Sequence, residues 1–294
     1  MTAHEPPTAP QHGPERDAEP GRRPRPDPPL ALQRILDGIR DANYHRPGIR
    51  CLRLMQAGPE TAARLAAEVA SLRDRQRPSL AGDPGHVTAW TGPRGQVEQF
   101  SLLNASGRCE DFSRDHDLSC FGKRFHHAAR HPALAELIGS LPHLVNFRVN
   151  VLGPGASLSP HEEHSVVRAR SGEVGIRARF HLPLVTRPEA TLMLDGDVYH
   201  LEAGAVYLVN HGCVHAAENR APAERIHLVW DMLLTADAAA AMFGPGRAPA
   251  GFTRLGPANR AEPPVGRRRA VRWERIAPHV SEAEARSVGL LAAQ

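Results

Sequence analysis

The residues with the clearest chemical potential lie at 158–167, in the stretch LSPHEEHSVV, which follows the turn Gly153-Pro154-Gly155. In extended backbone, side chains at positions i and i+2 point to the same face. His161 and Glu163 therefore share one face, and an imidazole and a carboxylate placed side by side can ligate the same metal ion. A pair of this kind is more often part of a solvated loop than of a metal site, so a third ligand must be found elsewhere in the chain.

The second histidine-bearing stretch is 210–231, NHGCVHAAENRAPAERIHLVWD, which begins with a loop after one strand and ends in another strand. It offers His211 and His215. A third ligand from this stretch would complete a His, carboxylate, His facial triad, the arrangement in which non-haem Fe(II) oxygenases keep open coordination positions. His211, like His164 beside the first pair, is more typical of a flanking loop residue. The order HEEH is not HExxH, so the pattern does not indicate a zinc protease.

Residues from about 145 to 235 resemble the aspartyl/asparaginyl β-hydroxylase family, which includes the cis-proline hydroxylases. The segments that carry the resemblance occur in the family's order: FRVNVLGPGASLSPHEE, RFHLPL, HAAEN and RIHLVWD. The resemblance implies an Fe(II)/2-oxoglutarate-dependent dioxygenase that hydroxylates a C–H bond of an amino acid, free or within a peptide or small natural product. It also implies a double-stranded β-helix, a jelly-roll core of cupin type with α-helices at both ends.

The resemblance assigns roles to five residues around the iron and its cosubstrate. It implies that His161, Glu163 and His215 hold Fe(II), although the family often has Asp at the position of Glu163 or lacks a carboxylate there. Arg225, ten residues after His215, matches the arginine that holds the distal carboxylate of 2-oxoglutarate. A guanidinium suits that role because it forms two parallel hydrogen bonds with a carboxylate. His181 matches a cosubstrate-binding group, and O2 is the remaining reactant.

Two further arginines are assigned to the substrate. Arg148 lies thirteen residues before His161, where cis-proline hydroxylases resemble this chain in carrying an arginine for the substrate carboxylate. Arg179 matches a group beside the substrate. Both favour a small-molecule amino acid or peptide as the partner, with a free amino acid slightly preferred. Both could instead pair with acids inside the fold.

Alternating side chains in two predicted strands give partial support that does not depend on the resemblance. Polar residues share one face of each strand: Arg177, Arg179 and His181 in one, and Arg225, His227 and Asp231 in the other. In an ordinary half-buried sheet the polar face is wet, whereas in a barrel that encloses a polar site the same face points inward. Two other functions stay open: a cupin-like metal-dependent oxygenase that does not use 2-oxoglutarate, and a non-catalytic jelly-roll module that binds a small acid.

Short segments rich in β-branched and alternating residues dominate from residue 144 to 234, separated by turn signals such as Asp195-Gly196. Helical spacing is found at 30–42, 59–75 and 130–141, and again after 236. We therefore predict four regions: a disordered Pro/Arg-rich tail at 1–29, a helical or mixed region at 30–130, the β-helix core at 131–236 and a C-terminal helical extension at 237–294. The last helix is predicted to begin at Ser281, where SEAE resembles a capping box.

Composition excludes several other classes of protein. The 294 residues carry 36 Lys and Arg against 32 Asp and Glu, a net charge of +4. Apart from GRRRAVRWER at 266–275, the basic residues are interleaved with acids, so no nucleic-acid partner is expected. No apolar run approaches the roughly 18 residues of a membrane span, and no apolar signal segment occurs near the N-terminus. We therefore expect a cytoplasmic protein with no membrane partner, and the sequence leaves the oligomeric state open.

Overall fold

The computed structural model of the chain describes residues 32–43, 46–80, 96–115, 122–163, 166–168, 174–244, 248–256 and 260–268. The predicted tail at 1–29, the predicted helix at Ser281, His164 and most of the basic segment 266–275 lie outside these residues. Fourteen strands and four helices are formed by the described residues. No helix among them is long and apolar enough to cross a membrane.

The strands form two sheets in which every described pair is antiparallel. Their bounds are β1 Cys51–Ala57, β2 Ser79–Leu80, β3 Val97–Ser101, β4 Leu144–Leu152, β5 Ser157–His161, β6 Val166–Arg168, β7 Val174–Val185, β8 Ala190–Leu194, β9 Asp197–Tyr199, β10 Ala205–Val209, β11 His215–Asn219, β12 Arg225–Leu233, β13 Phe252–Arg254 and β14 Gly266–Arg267.

Eight of these strands make a jelly roll, as the sequence predicted. The larger sheet contains the order β4-β12-β7-β10, and the smaller sheet contains β5-β11-β8-β9. In chain order, these eight strands therefore alternate between the two sheets, except that β8 and β9 form a hairpin within the smaller sheet. That hairpin turns at Asp195 and Gly196, whose φ angles of 50° and 91° are those of the type I′ turn that Asp-Gly favours.

Strands from outside the predicted core extend the larger sheet at both edges. β1 pairs with β10, and β3 pairs with β4. β13 adds a further strand beyond β1, while β14 pairs with β9 in the smaller sheet. The region at 30–130 therefore shares backbone hydrogen bonds with the jelly roll in addition to packing on it.

Four helices flank the sheets: α1 Leu32–Asn43, α2 Pro59–Arg73, α3 Pro132–Gly139 and α4 Ala236–Phe243. α2 and α3 each begin with proline, whose fixed φ and missing N–H suit the first turn. The Thr235 side chain accepts a hydrogen bond from the Ala238 N–H and so caps α4. The Glu68 carboxylate on α2 accepts the free N–H groups of Ala133 and Leu134 at the start of α3.

Two apolar clusters make up the core. The first packs the helices against the outer face of the larger sheet, where Trp230 stacks on Phe147 and Phe180 with ring centroids 5.4 Å and 5.8 Å apart. The second lies between the two sheets and includes Leu152, Leu192, Leu194, Tyr207, Val209 and Ala217. We call this second set the interlayer cluster. The polar residues of β7 and β12 face the same interlayer space, because their apolar neighbours occupy the other face.

Candidate active site

His161 and His215 lie side by side on neighbouring strands of the smaller sheet. His161 is the last residue of β5 and His215 the first of β11, and the two are Cα partners in the antiparallel ladder. Their ring centroids lie 4.2 Å apart. The His161 Nδ1 lies 2.7 Å from the Ser159 carbonyl oxygen, and the His215 Nδ1 lies 2.9 Å from that of Cys213. A carbonyl at Nδ1 fixes the proton there, which leaves the Nε2 lone pair of each ring for a ligand.

The environment of both rings suits a metal ion. The Nε2 of His161 is buried and has no hydrogen-bond partner among the described residues. Burial, reinforced by His161, lowers the pKa of His215 to about 3, so this ring is neutral at physiological pH and can ligate. Glu163 completes the group, because ligand atoms of His161, Glu163 and His215 all lie within 4.8 Å of one another. The structure thus brings together the three residues predicted to hold the metal.

Two arginines of β7 hold the Glu163 carboxylate. Arg179 Nη1 donates to Oε1 at 2.5 Å and Arg179 Nη2 to Oε2 at 2.9 Å, while Arg177 Nη2 donates to Oε2 at 2.7 Å. Burial opposes ionisation of Glu163, but Arg179 and Arg177 outweigh it and hold the pKa of this carboxyl well below its usual range. Glu163 is therefore an anion over the whole physiological pH range.

Asp231, on β12, is a second acid of this charged group. It is fully buried, accepts from Arg179 Nε at 2.8 Å and Nη2 at 3.0 Å, and accepts from Asn146 Nδ2 at 2.8 Å. Burial opposes its ionisation, yet Arg179 and Arg177 keep the pKa of Asp231 well below its usual range. Arg148 lies 3.5 Å from Asp231 and 3.4 Å from Asp115. Arg148 and Arg179 therefore do pair with acids of the chain, the alternative that the sequence left open.

Arg225 has a different environment from the other arginines. It is buried, its Nε donates to His227 Nε2 at 3.1 Å and its Nη1 to Asn150 Oδ1 at 3.4 Å, and its Nη2 lies 2.8 Å from His227 Nδ1. No carboxylate of the described residues neutralises it, and burial alone lowers the pKa of its guanidinium to about 9. It stays protonated at pH 7, so it is a buried cation whose partners are uncharged.

His181 and His227 lie beside this cation. Their Nδ1 atoms are 3.3 Å apart and their rings meet edge to face. Burial and the neighbouring Arg225 hold the pKa of each imidazole well below its usual range. Both rings are neutral and add no charge to that of Arg225.

One cavity joins these groups. Six of the seven predicted site residues line it: Arg148, His161, Arg179, His181, His215 and Arg225. The polar groups Gln99 and Asn150 and the apolar side chains Leu158, Leu192, Val209, Ala217 and Val229 complete its wall. Glu163 is not among the lining residues, and its carboxylate is hydrogen-bonded to Arg177 and to Arg179, which does line the cavity.

Several residues of the site received no role, or a different one, from sequence. The alternation of β7 and β12 placed Arg177, His227 and Asp231 on the polar face without assigning partners to them. His211, expected in a flanking loop, is buried, and its carbonyl accepts from the Glu163 N–H at 3.0 Å. Asn219, which received no role, donates to the backbone carbonyl groups of Leu152, Gly153 and Ala223.

The comparisons with known proteins agree with the sequence motifs. Residues 100–234 match the family described as Aspartyl/Asparaginyl beta-hydroxylase. No curated protein matches the chain. Among solved structures, a prolyl-4-hydroxylase from Pseudomonas putida is 19% identical with a TM-score of 0.35, and the match covers 61% of this chain and 91% of that one.

Two other solved structures are similar to this chain at comparably low sequence identity. A 2OG-Fe(II) oxygenase family oxidoreductase from Burkholderia pseudomallei is 12% identical with a TM-score of 0.38, over 59% of this chain and 89% of that one. HygX from Streptomyces hygroscopicus, solved with nickel and 2-oxoglutarate bound, is 11% identical with a TM-score of 0.36, over 69% of this chain and 93% of that one. The family match does not depend on them, and residues 100–234 carry the sequence pattern of the aspartyl/asparaginyl β-hydroxylases, the family that the motifs predicted.

Proposed function

We propose that the protein is an Fe(II)/2-oxoglutarate-dependent dioxygenase that hydroxylates a C–H bond of an amino acid, free or within a peptide or small natural product. The observation that carries this proposal is that the imidazoles of His161 and His215 and an uncompensated buried arginine line one cavity, with a carboxylate beside the imidazoles. Each of these features needs a partner, and the partners differ. The imidazoles and the carboxylate suit a cation, whereas the arginine suits an anion.

The donor set fits ferrous iron. His161, Glu163 and His215 would hold it, because imidazole and carboxylate together are the ligands of facial-triad iron sites. The buried, unpartnered Nε2 of His161 supports this assignment, since a buried polar atom without a partner is costly in a folded protein. When bound, the iron with 2-oxoglutarate and O2 supplies the oxidising chemistry that breaks an unactivated C–H bond.

Arg225 would hold the distal carboxylate of 2-oxoglutarate. Burial without an acidic partner disfavours the charge of this arginine, and a carboxylate would remove that penalty through two parallel hydrogen bonds. His227 and Asn150 keep the guanidinium in place without competing for its charge. The apolar part of the cavity wall limits the water that can reach the reacting groups.

Arg148 is the better of the two candidates for a substrate carboxylate. All three types of nitrogen in the Arg179 guanidinium already donate to Asp231 or Glu163 at 3.0 Å or less. Arg148 makes only longer contacts with acids, at 3.4 Å and 3.5 Å, and its Nε is buried without a partner among the described residues. A free amino acid should therefore stimulate succinate release more than the same amino acid with its carboxyl group amidated.

An anaerobic titration tests the cofactor assignment. Fe(II) is added to the metal-free protein and then 2-oxoglutarate, and the weak visible charge-transfer band of the chelate is recorded. We expect the band in the wild type, its loss in His215→Ala, and a higher 2-oxoglutarate requirement in Arg225→Gln. Arg73→Gln is the matched control, because Arg73 is paired with Glu224 and Glu98 outside the cavity.

Two results would refute the assignment, and they differ in what they leave standing. Tight iron binding without a band would remove 2-oxoglutarate and favour the cupin-like oxygenase. Failure of the wild type to bind iron would remove the metal site itself and favour the small-acid-binding module.

A further inference from the structure

The carboxylate proposed as the third metal ligand is held from the opposite sheet. Glu163 lies two residues after β5 of the smaller sheet, whereas Arg177 and Arg179 lie on β7 in the larger sheet. Three hydrogen bonds of 2.5 Å to 2.9 Å cross between them. Glu163 lies beyond the end of β5, and its main chain is held by the hydrogen bond from its N–H to the His211 carbonyl oxygen. Its carboxylate is held by the bonds to the two arginines.

We propose that Arg177 is a positioning residue for this carboxylate, a role that rests on the proposed metal site and adds to it. Arg179 alone would not define the carboxylate plane as tightly, because its guanidinium is shared with Asp231. Arg177 adds a second donor to Oε2 from a side chain that is only 2% exposed. Two guanidinium groups that approach from different positions leave the carboxylate little freedom to rotate.

The two arginines leave room for a metal ion. A carboxylate has about four acceptor positions, and the arginines use three of them. Charge is also balanced, because Arg177 and Arg179 face Glu163 and Asp231. A divalent cation therefore meets an ionised carboxylate that still has one acceptor position to offer.

The alternative is that Arg177 competes with the metal for Glu163. The two roles predict opposite effects of removing Arg177: weaker metal binding if it positions the carboxylate, and tighter binding if it competes. The Glu163 ligand oxygen lies within 4.8 Å of both imidazole ligand atoms while the bonds to the arginines are formed. Adjacent ligands on a metal at about 2.1 Å are roughly 3 Å apart. The carboxylate therefore starts close to the metal position while both arginines hold it, which favours a positioning role over competition.

Mn(II) binding, followed by loss of the electron paramagnetic resonance signal of the free ion, tests the proposal without any turnover. We expect Arg177→Met to raise the dissociation constant roughly 10- to 100-fold, the usual effect of losing a group that orients a metal ligand. Arg177→Lys, which keeps the charge and one donor, should recover part of the loss. In a Glu163→Gln background, Arg177→Met should change Mn(II) affinity by less than about threefold, because the orienting effect then has no carboxylate to act on.

The controls separate this inference from the proposed function and from simple misfolding. Arg73→Met removes an ion-paired arginine outside the cavity and should leave the Mn(II) affinity at the wild-type value. Thermal unfolding in chelator establishes which variants fold, and Arg177→Lys carries the comparison if Arg177→Met does not fold. Failure of the wild type to bind Mn(II) would overturn the metal site. Two results would overturn the positioning role alone. One is unchanged or tighter Mn(II) binding by both Arg177 variants. The other is an equal loss of Mn(II) affinity on Arg177→Met with and without the Glu163→Gln substitution.

Discussion

Replacement of Asp231 by Asn measures how much the charged group between the sheets contributes to stability. Asp231 is 0% exposed and is the Cα partner of Arg179 on β7 and of Asn146 on β4. Asn has the same shape but carries an NH2 group where the second carboxylate oxygen was. Placed at Oδ2, that group faces the donors Arg179 Nη2 and Asn146 Nδ2, which now lie 3.0 Å and 2.8 Å away; placed at Oδ1, it faces Arg179 Nε at 2.8 Å.

The expected loss is about 3–5 kcal/mol in the free energy of unfolding, the range found when one partner of a buried ion pair is removed. One or two contacts with the carboxylate disappear, depending on the amide orientation, and each hydrogen bond to a charged group contributes about 1.5–3 kcal/mol. The buried charge of Arg179 also keeps only Glu163 as a strong partner. For a chain of this size, the unfolding temperature should fall by roughly 6–20 °C.

Urea denaturation of the metal-free protein at pH 7, followed by circular dichroism, gives this difference. Asp197→Asn is the matched control, because Asp197 pairs with Arg267, whose side chain is 82% exposed. Loss of such a surface pair should change the stability by no more than about 1 kcal/mol. If Asp231→Asn is as stable as this control, Asp231 does not neutralise the arginines in the way the geometry indicates.

Two further predictions concern stability. Burial holds the pKa of four histidines below the usual value: His181, His211, His215 and His227. Below about pH 6.5 these histidines are protonated in the unfolded chain but stay neutral in the folded chain. The free energy of unfolding of the metal-free protein should therefore fall by up to about 1.4 kcal/mol per pH unit for each histidine as the pH drops below 6.5. The contribution of His215 ends near pH 3, where its folded-state pKa lies. Urea midpoints at pH 7.5, 6.5 and 5.5 check this, and equal midpoints would contradict it. Asn219→Ala leaves the carbonyl groups of Leu152, Gly153 and Ala223 without their side-chain donor. We expect the free energy of unfolding, measured in the same way, to fall by about 2–4 kcal/mol. A loss below about 0.5 kcal/mol would show that water replaces the amide.

Strands with local signals were predictable from the sequence. β4, β8, β10 and β12 begin where their alternating or β-branched segments begin, and the Asp195-Gly196 turn has the backbone that its residues favour. β1 and β3 carry no such signal, and each exists because it pairs with a strand distant in sequence, β10 and β4 respectively. HAAEN at β11 is similar, since its Ala, Glu and Asn residues have low strand propensity but lie between β5 and β8.

In the site, too, local sequence signals identified some features, whereas others depend on how the strands pair. Motif order pointed to His161, Glu163 and His215, and the structure brings these residues together. Alternation showed that Arg179 and Asp231 each lie on a polar face. Only the register of β7 against β12, which makes Arg179 and Asp231 Cα partners, determines that one binds the other. A register shift by one residue would turn Asp231 to the opposite face, so partner choice is a property of the sheet and not of either segment alone.

The proposed ligands are distributed over both layers of the sandwich, and this has a consequence for engineering. The imidazoles of His161 and His215 move with the smaller sheet, while the Glu163 carboxylate is tied to β7 in the larger one. Their separation therefore depends on the thickness of the interlayer cluster, where Leu194 and Tyr207 are fully buried. Libraries aimed at accepting a larger or smaller metal ion should vary these apolar positions, because a change in their volume alters the size of the coordination site while every ligating residue is kept.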